Sequence, residues 1–213
     1  VPGGAPGAFF GDAVSIFGDT ALVGAPAANA AAAVRGAAFV FERSGGLWSL
    51  TATLTVGSGA PPGGYIGASV SLADGVALAS GSGFDIPGGR AFVFERSTGG
   101  TWGPNETAEL VPSPGSPTFH FGSSVAASGD LALVGDRHDD PGSFGSGAVY
   151  VFERIGPATW TAHETAKLVV NAGQEVIEFG FSVDIEGHLA VVGGFETHGG
   201  FGAAYAFRRG ATG

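Results

Sequence analysis

One short loop collects side chains able to hold a cation. The stretch GDRHDDPGSFGSG, residues 135–147, gathers Asp136, His138, Asp139 and Asp140. Carboxylate oxygens and an imidazole are ligands that a divalent metal accepts. The corresponding loops SGFDIPGG and GGFETHGG lack such a cluster, so a metal site would belong to this place alone, and a solvated Asp/Gly/Pro loop is the plainer reading. The other histidines, His120, His163, His188 and His198, stand singly. Neither HExxH nor GxSxG occurs, which leaves a zinc hydrolase without ligands and a serine hydrolase without its nucleophile elbow. Gly57-Ser58-Gly59 and Gly81-Ser82-Gly83 have no following helix with which to cradle phosphate. Glu42-Arg43, Glu95-Arg96 and Glu153-Arg154 could suggest acid–base chemistry, yet they recur at one phase in three copies. An active site is not normally built three times, so these pairs are expected to close strands and solvate turns. No catalytic residue and no cofactor is expected. Asn105-Glu106-Thr107 forms a sequon, making Asn105 a glycosylation acceptor wherever the source organism modifies such sites.

The elements that position these residues come from repetition. Gly11, Gly67, Gly122 and Gly180 lie 56, 55 and 58 residues apart. Around them run FFGDAVSIFGDTALVGAP, YIGASVSLADGVALASGS, HFGSSVAASGDLALVGDR and EFGFSVDIEGHLAVVGGF. Each copy reads as strand A with period-two alternation, a tight Asp/Gly turn, and a short apolar strand B. A Gly/Pro loop follows, then strand C with alternating aromatics, then strand D running from Trp48, Trp102 or Trp160 to Leu54, Leu110 or Leu168. The recurrent tryptophans read as packing rather than as sugar platforms. Four-stranded meanders repeating every 50-odd residues are the pattern of β-propeller blades. The fold class is therefore all-β, with blades over about 9–55, 65–111, 120–170 and 178–209 of a single propeller domain.

Composition agrees. Forty glycines and 12 prolines would suit a disordered chain, but 17 phenylalanines and a positive mean hydropathy supply the apolar surface that disorder lacks. A net charge of −10 with nine Lys and Arg opposes nucleic acid and anionic membranes. No apolar run approaches the roughly 20 residues of a spanning helix. Cysteine is absent, and so is methionine even at position 1. An upstream segment is expected to have been removed, most commonly a secretory signal.

The phrases Phe10-Gly11 followed by Gly24-Ala25-Pro26, degraded to Phe121-Gly122 with Gly135-Asp136 and Phe179-Gly180 with Gly193-Gly194, resemble the FG-GAP repeats of integrin α-subunit propellers and of secreted bacterial proteins. YVFER…W…ETAKL is similar to the bacterial branch in particular. The resemblance implies an extracellular propeller used in adhesion or recognition without catalysis. Calcium-binding members carry an Asp-x-Asp-x-Asp-Gly loop between strands A and B. Here those turns read IFGDT, LADGV, ASGDL and IEGHL, too short and too poor in oxygen for calcium.

The fourth copy, GAAYAFRRGATG, lacks strand D, and Arg208-Arg209 replaces the Glu-Arg pair. Strand C there should present an open edge at Tyr205, Phe207, Arg208 and Arg209, and exposed edges template pairing with other chains. A strand from a neighbouring subunit would complete the blade and, repeated head to tail, build a filament. The expected protein is a small closed four-bladed propeller acting as a protein-binding, adhesion or assembly module. The alternatives are an open segment of a six- or seven-bladed ring and a glycan-binding lectin-like propeller.

Overall fold

Two-residue turns start every blade. Strands A and B close on the pairs Phe17↔Thr20, Ala73↔Val76, Ser128↔Leu131 and Glu186↔Leu189. The turns need left-handed backbone, supplied by Gly18, Gly129 and Gly187 at φ 57° and Gly75 at φ 69°. The computed structural model describes residues 7–28, 35–57, 65–81, 89–114, 120–139, 145–170, 176–197 and 200–210, and every element among them is a strand.

Blade 1 holds β1 (Val14–Phe17), β2 (Thr20–Ala25), β3 (Arg35–Ser44) and β4 (Leu47–Leu54) in chain order, with β5 (Tyr65–Ile66) added parallel to β3. Blade 2 holds β6 (Ser69–Ala73), β7 (Val76–Gly81), β8 (Arg90–Glu95) and β9 (Ala108–Leu110). Blade 3 holds β10 (Phe121–Ser128), β11 (Leu131–Asp136) and β12 (Ala148–Gly156), with β13 (Thr159–Trp160) and β14 (Ala166–Leu168) both pairing β12. Blade 4 has only β15 (Val176–Glu186), β16 (Leu189–Thr197) and β17 (Ala203–Arg208) among the described residues. The expected deficit in the fourth copy is present.

Strand D departs from expectation in two copies. It is continuous in blade 1, but in blade 2 Trp102 makes only a bridge to Arg96 before β9, and in blade 3 strand D splits into β13 and β14. Eight residues separate Trp from Leu in these copies, against six in the first, and the two extra residues loop out of register. The looped segments tie back to the preceding blade's linker: Glu106 accepts from the Gly57 N–H at 2.9 Å and Glu164 from the Ser113 N–H at 2.8 Å.

Period-two alternation gives each blade an aliphatic and an aromatic face, and each aliphatic face packs on the next blade's aromatic face. Leu22, Val40 and Leu54 meet Val70, Phe92 and Phe94. Leu78, Val93 and Leu110 meet Phe121, Val125 and Tyr150. Leu131 and Leu133 meet Phe179, Ile185 and Val192. The phenylalanine before the key glycine sits edge-on to the strand C aromatics, with centroids 5.4 Å apart in Phe10–Phe39 and Phe121–Tyr150 and 5.6 Å in Phe179–Tyr205. Such geometry adds about 0.5–1.5 kcal/mol beyond burial.

Polar groups link the same junctions. Strand A is an edge strand, and serines of the preceding blade satisfy its N–H groups: Ser15 Oγ accepts from Leu72 at 3.0 Å, Ser69 Oγ from Val125 at 3.1 Å and Ser71 Oγ from Ala127 at 3.0 Å. The Glu-Arg pairs do more than solvate turns. Arg96 reaches Glu42 at 2.6 Å, Arg154 reaches Glu95 at 2.8 Å and Arg209 reaches Glu153 at 3.0 Å. Each arginine grips the glutamate one blade earlier, making a ladder across the array.

Among the described residues no blade lies against the two outermost faces. Val14 and Ile16 are 69% and 65% exposed, whereas their counterparts Val70 and Leu72 are 8% and 7%. Leu189 and Val191 on blade 4 are 45% and 44% exposed, whereas Leu133 is 1%. The repeat architecture is the expected one, but the small closed ring is not formed: the described blades make an open row, matching the alternative of an open segment.

Backbones approach closely at each junction. A Cβ on Gly24 would overlap the Gly67 carbonyl, and one on Gly135 would overlap that of Gly180. Gly24→Ala should therefore destabilise by about 1–3 kcal/mol through overpacking alone, read as a lower urea midpoint with unchanged m value. An unchanged midpoint would contradict backbone contact between blades 1 and 2.

Candidate functional site

The Asp/His loop follows β11, and its carboxylates turn inward. Asp136 and Asp139 are both fully buried. Asp136 Oδ1 accepts from the N–H groups of His120 at 3.2 Å and His138 at 3.1 Å; the second bond is the side-chain turn that Asp forms with its own backbone two residues on. Asp139 Oδ2 accepts from the Tyr150 hydroxyl and lies 2.8 Å from Lys167 Nζ, whose ammonium stands 5.0 Å from the Tyr150 ring centroid. The Asp139 carbonyl takes the Gly147 N–H at 2.8 Å. His138 Nε2 meets Glu178 Oε1 at 3.0 Å, tying blade 3 to blade 4, and its ring packs edge-on to His120 at 4.1 Å. Asp140 lies outside the described residues.

Burial sets the protonation of this cluster. It pushes the Asp136 carboxyl up to about 6, with Asp139 adding to the rise and the His138 and His120 N–H bonds opposing it. It brings the His120 imidazole down to about 4, helped by His138 and Arg137 and opposed by Glu178. Asp136 Oδ2 and Asp139 Oδ1 are buried without a hydrogen-bond partner. Even so, among the described residues no three His, Asp or Glu side chains converge as a metal would require. The arrangement anchors the loop.

The turns between strands A and B do not fit calcium. They are two-residue hairpins, and the carboxylate of Asp19 is held by Arg43 Nη2 at 2.6 Å. A single, already neutralised carboxylate falls short of the six to eight oxygens that calcium takes.

Among the described residues β17 is the outermost strand of its sheet, and the groups it leaves outward are main-chain atoms. Tyr205 and Phe207 face Phe179 at 5.6 and 5.9 Å, and Arg209 is engaged by Glu153. Arg208 is exposed. The Arg209 N–H bonds to His188 O at 2.9 Å, so alternate residues of β17 point the opposite way. In blades 2 and 3 the outward carbonyls of Val93 and Val151 accept from strand D, at 2.8 Å from Thr107 and 2.7 Å from Thr165. Ala206 holds the equivalent position in blade 4, and Ala204 and Ala206 are exposed.

Asn105 is exposed in the bend before β9. Of the tryptophans, Trp160 is buried and donates to Glu95 at 2.8 Å, while Trp48 is half-exposed under Arg43. An aromatic pair on blade 4 was not evident from the sequence: Phe181 and Phe195 are exposed and 5.2 Å apart, with Arg137 over Phe181. Aligning the copies by phase reveals it, since Phe181 and Phe195 stand where other copies place Asp12, Ala68 or Ser123, and Pro26, Ser82 or Arg137.

A family model described as FG-GAP repeat matches residues 2–41 and 104–152. These two segments are similar to the FG-GAP repeat, and the antiparallel sheets are consistent with the blades that such repeats build. No curated protein matches the chain significantly.

Asp136 and His120 act on stability in opposite directions. A carboxyl raised from 3.8 to about 6 favours the fold at low pH and loses that contribution as pH climbs from about 4 to 6. A histidine lowered from 6.5 to about 4 makes stability rise with pH between those values. Thermal melts of Asp136→Asn should therefore gain midpoint temperature from pH 4 to 6.5, and those of His120→Gln should lose it, while the parent stays flatter. Parallel slopes in all three proteins would refute the assignment.

Proposed function

We propose that this array of FG-GAP-like repeats is a non-catalytic protein-binding module of the extracellular space, recruiting its partner as a strand added to β17. The observation that carries this reading is the three-stranded fourth blade, whose outermost strand leaves the Ala204 and Ala206 main chain unpaired by any described strand. Main-chain bonds give such strand addition its affinity, and the pockets between alternate side chains give it selectivity. The polar cluster on blade 3 supports a role outside catalysis, because its carboxylates are engaged with backbone, Tyr150 and Lys167. FG-GAP repeats occur in extracellular proteins, which supports the location, and the net charge of −10 turns the module away from polyanionic partners. In an assembly or adhesion setting, the added strand would come from a neighbouring subunit or from a target protein.

The test uses a peptide with the sequence of residues 164–170, ETAKLVV, which contains β14, the second part of strand D in blade 3. A labelled peptide should bind saturably by fluorescence anisotropy. The same peptide with proline at the Leu168 position should bind at least tenfold more weakly, since Leu168 pairs with the outward-facing Val149 and proline lacks that ladder donor. Ala206→Pro in the protein should have the same effect at an unaltered far-UV circular dichroism spectrum. Failure of the parent peptide to bind would end the strand-addition reading. A glycan-binding reading is favoured by one observation, the exposed neighbours Phe181 and Phe195 with Arg137 over Phe181. A glycan array gives a signal lost on Phe195→Ala if that patch stacks on sugar, and none otherwise.

A further inference from the structure

The two unpaired end faces carry the two halves of the junction that the chain builds three times internally. On blade 4 the half is aliphatic. Leu189 and Val191 occupy the positions of Leu131 and Leu133, with exposed Ala204 and Ala206 beside them. Ser182 and Asp184 hold the positions of Ser69 and Ser71, whose oxygens accept from the next blade's strand A. Gly202 corresponds to Gly36, Gly89 and Gly147, where a Cβ would overlap the next blade's main chain at Ile66, Phe121 and Phe179. At Gly202 a Cβ would meet only its own blade, at 3.2 Å from Phe195 O and 3.3 Å from Gly194 O. The glycine is kept where no neighbouring blade demands it.

Blade 1 carries the other half. Val14 and Ile16 stand where Val125 and Ala127 stand, as N–H donors to serine and as apolar contacts. Phe10 already lies edge-on to Phe39 and Phe41, as Phe121 and Phe179 do in docked blades. Phe9 takes φ 52°, the left-handed backbone that its counterpart Glu178 adopts at φ 57° within the blade 3–4 junction. A Cβ on Gly11 would meet nothing within 4 Å, while one on Gly67, Gly122 or Gly180 meets the preceding blade. Blade 1 is thus shaped for a preceding blade.

We propose that the aliphatic face of blade 4 docks on the aromatic face of blade 1 in a second copy of this chain, head to tail, repeating the internal junction. Val191 then packs against Val14 and Ile16, and Ser182 and Asp184 accept from the Val14 and Ile16 N–H groups. The charge ladder changes sign at this joint. Arg208 replaces the glutamate, and Asp19, held by Arg43 at 2.6 Å, is the acid the two arginines would share: its counterpart Asp130 lies 3.9 Å from Arg154, a guanidinium that Glu95 of the preceding blade also holds. The described residues of blade 4 supply no counterpart of Leu54, Leu110 and Leu168, so the joint they build is smaller than the internal junctions and depends on concentration. Because the contact is heterologous, it propagates unless its rotation closes. It uses sheet faces, not the β17 edge, and stands or falls apart from strand addition.

Sedimentation velocity over a concentration series tests the joint with the parent and two surface variants, Ile16→Glu and Val191→Glu. The parent should shift from its 21.0 kDa monomer to species of at least twice that mass, while each variant alone needs at least tenfold more protein to associate. Each variant keeps one intact face, so an equimolar mixture should restore a dimer and stop there. A parent that stays monomeric at every concentration overturns the proposal, as does a mixture no more associated than its components. Unchanged peptide binding in both variants shows that each still folds and separates this result from the fate of the edge.

Discussion

At each joint between neighbouring blades one backbone presses on another, and at two of the three no Cβ fits there. Gly24 against Gly67 and Gly135 against Gly180 leave no room for a Cβ, and in blade 2 Ser80 is accommodated because its hydroxyl donates to the Gly122 carbonyl at 2.7 Å. That approach fixes the phase of everything else. With strand A of one blade held against strand B of the previous one, period-two alternation presents leucine and valine to phenylalanine and tyrosine, and the serine oxygens come level with the N–H groups they serve. A larger residue at these glycines would displace a whole blade, because packed interiors do not absorb added volume.

The polar links answer a different need. Strand A lies at the edge of each sheet, and its outward N–H groups would be costly if buried without partners. Serines one repeat earlier satisfy them. Where blade 3 carries Ala126 in place of serine, the Ile185 N–H is met by the side chain of Asp184 at 2.9 Å. The Glu–Arg ladder lies farther out. Its first rung is half-exposed and contributes modestly, but the carboxylate of Glu95 is only 7% exposed and accepts from Arg154, Trp160 and the Ala158 N–H. Breaking that rung would leave the buried Trp160 N–H without its acceptor.

Much of this was legible in the sequence because the copies are phased. The spacing of Gly11, Gly67, Gly122 and Gly180 gives the blades, the Asp/Gly turns give the hairpins, and the absent tryptophan segment gives the three-stranded blade. The ladder was not legible. Glu42 and Arg43 are neighbours in the chain, so they read as a local pair, whereas Arg96 reaches back 54 residues and Arg154 59. A separation of one repeat was the available signal. Nor could alternation alone tell a closed ring from an open row: Val14 and Ile16 show the pattern of Val70 and Leu72, and only the structure reveals which pair is covered. The inward turn of Asp136 and Asp139 was hidden for a related reason, since their partners, Lys167 and the His120 main chain, come from distant stretches of the chain.

Blades stacked in a row contact only their neighbours, so cooperativity runs along one dimension. Blades 2 and 3 are covered on both faces, blades 1 and 4 on one each. Local opening therefore begins at the termini of the row and moves inward, and amide protons of β7 and β11 exchange last while those of β1 and β17 exchange first. The molecule unravels as a stack of plates does, and whatever caps an end plate slows solvent exchange in the whole series.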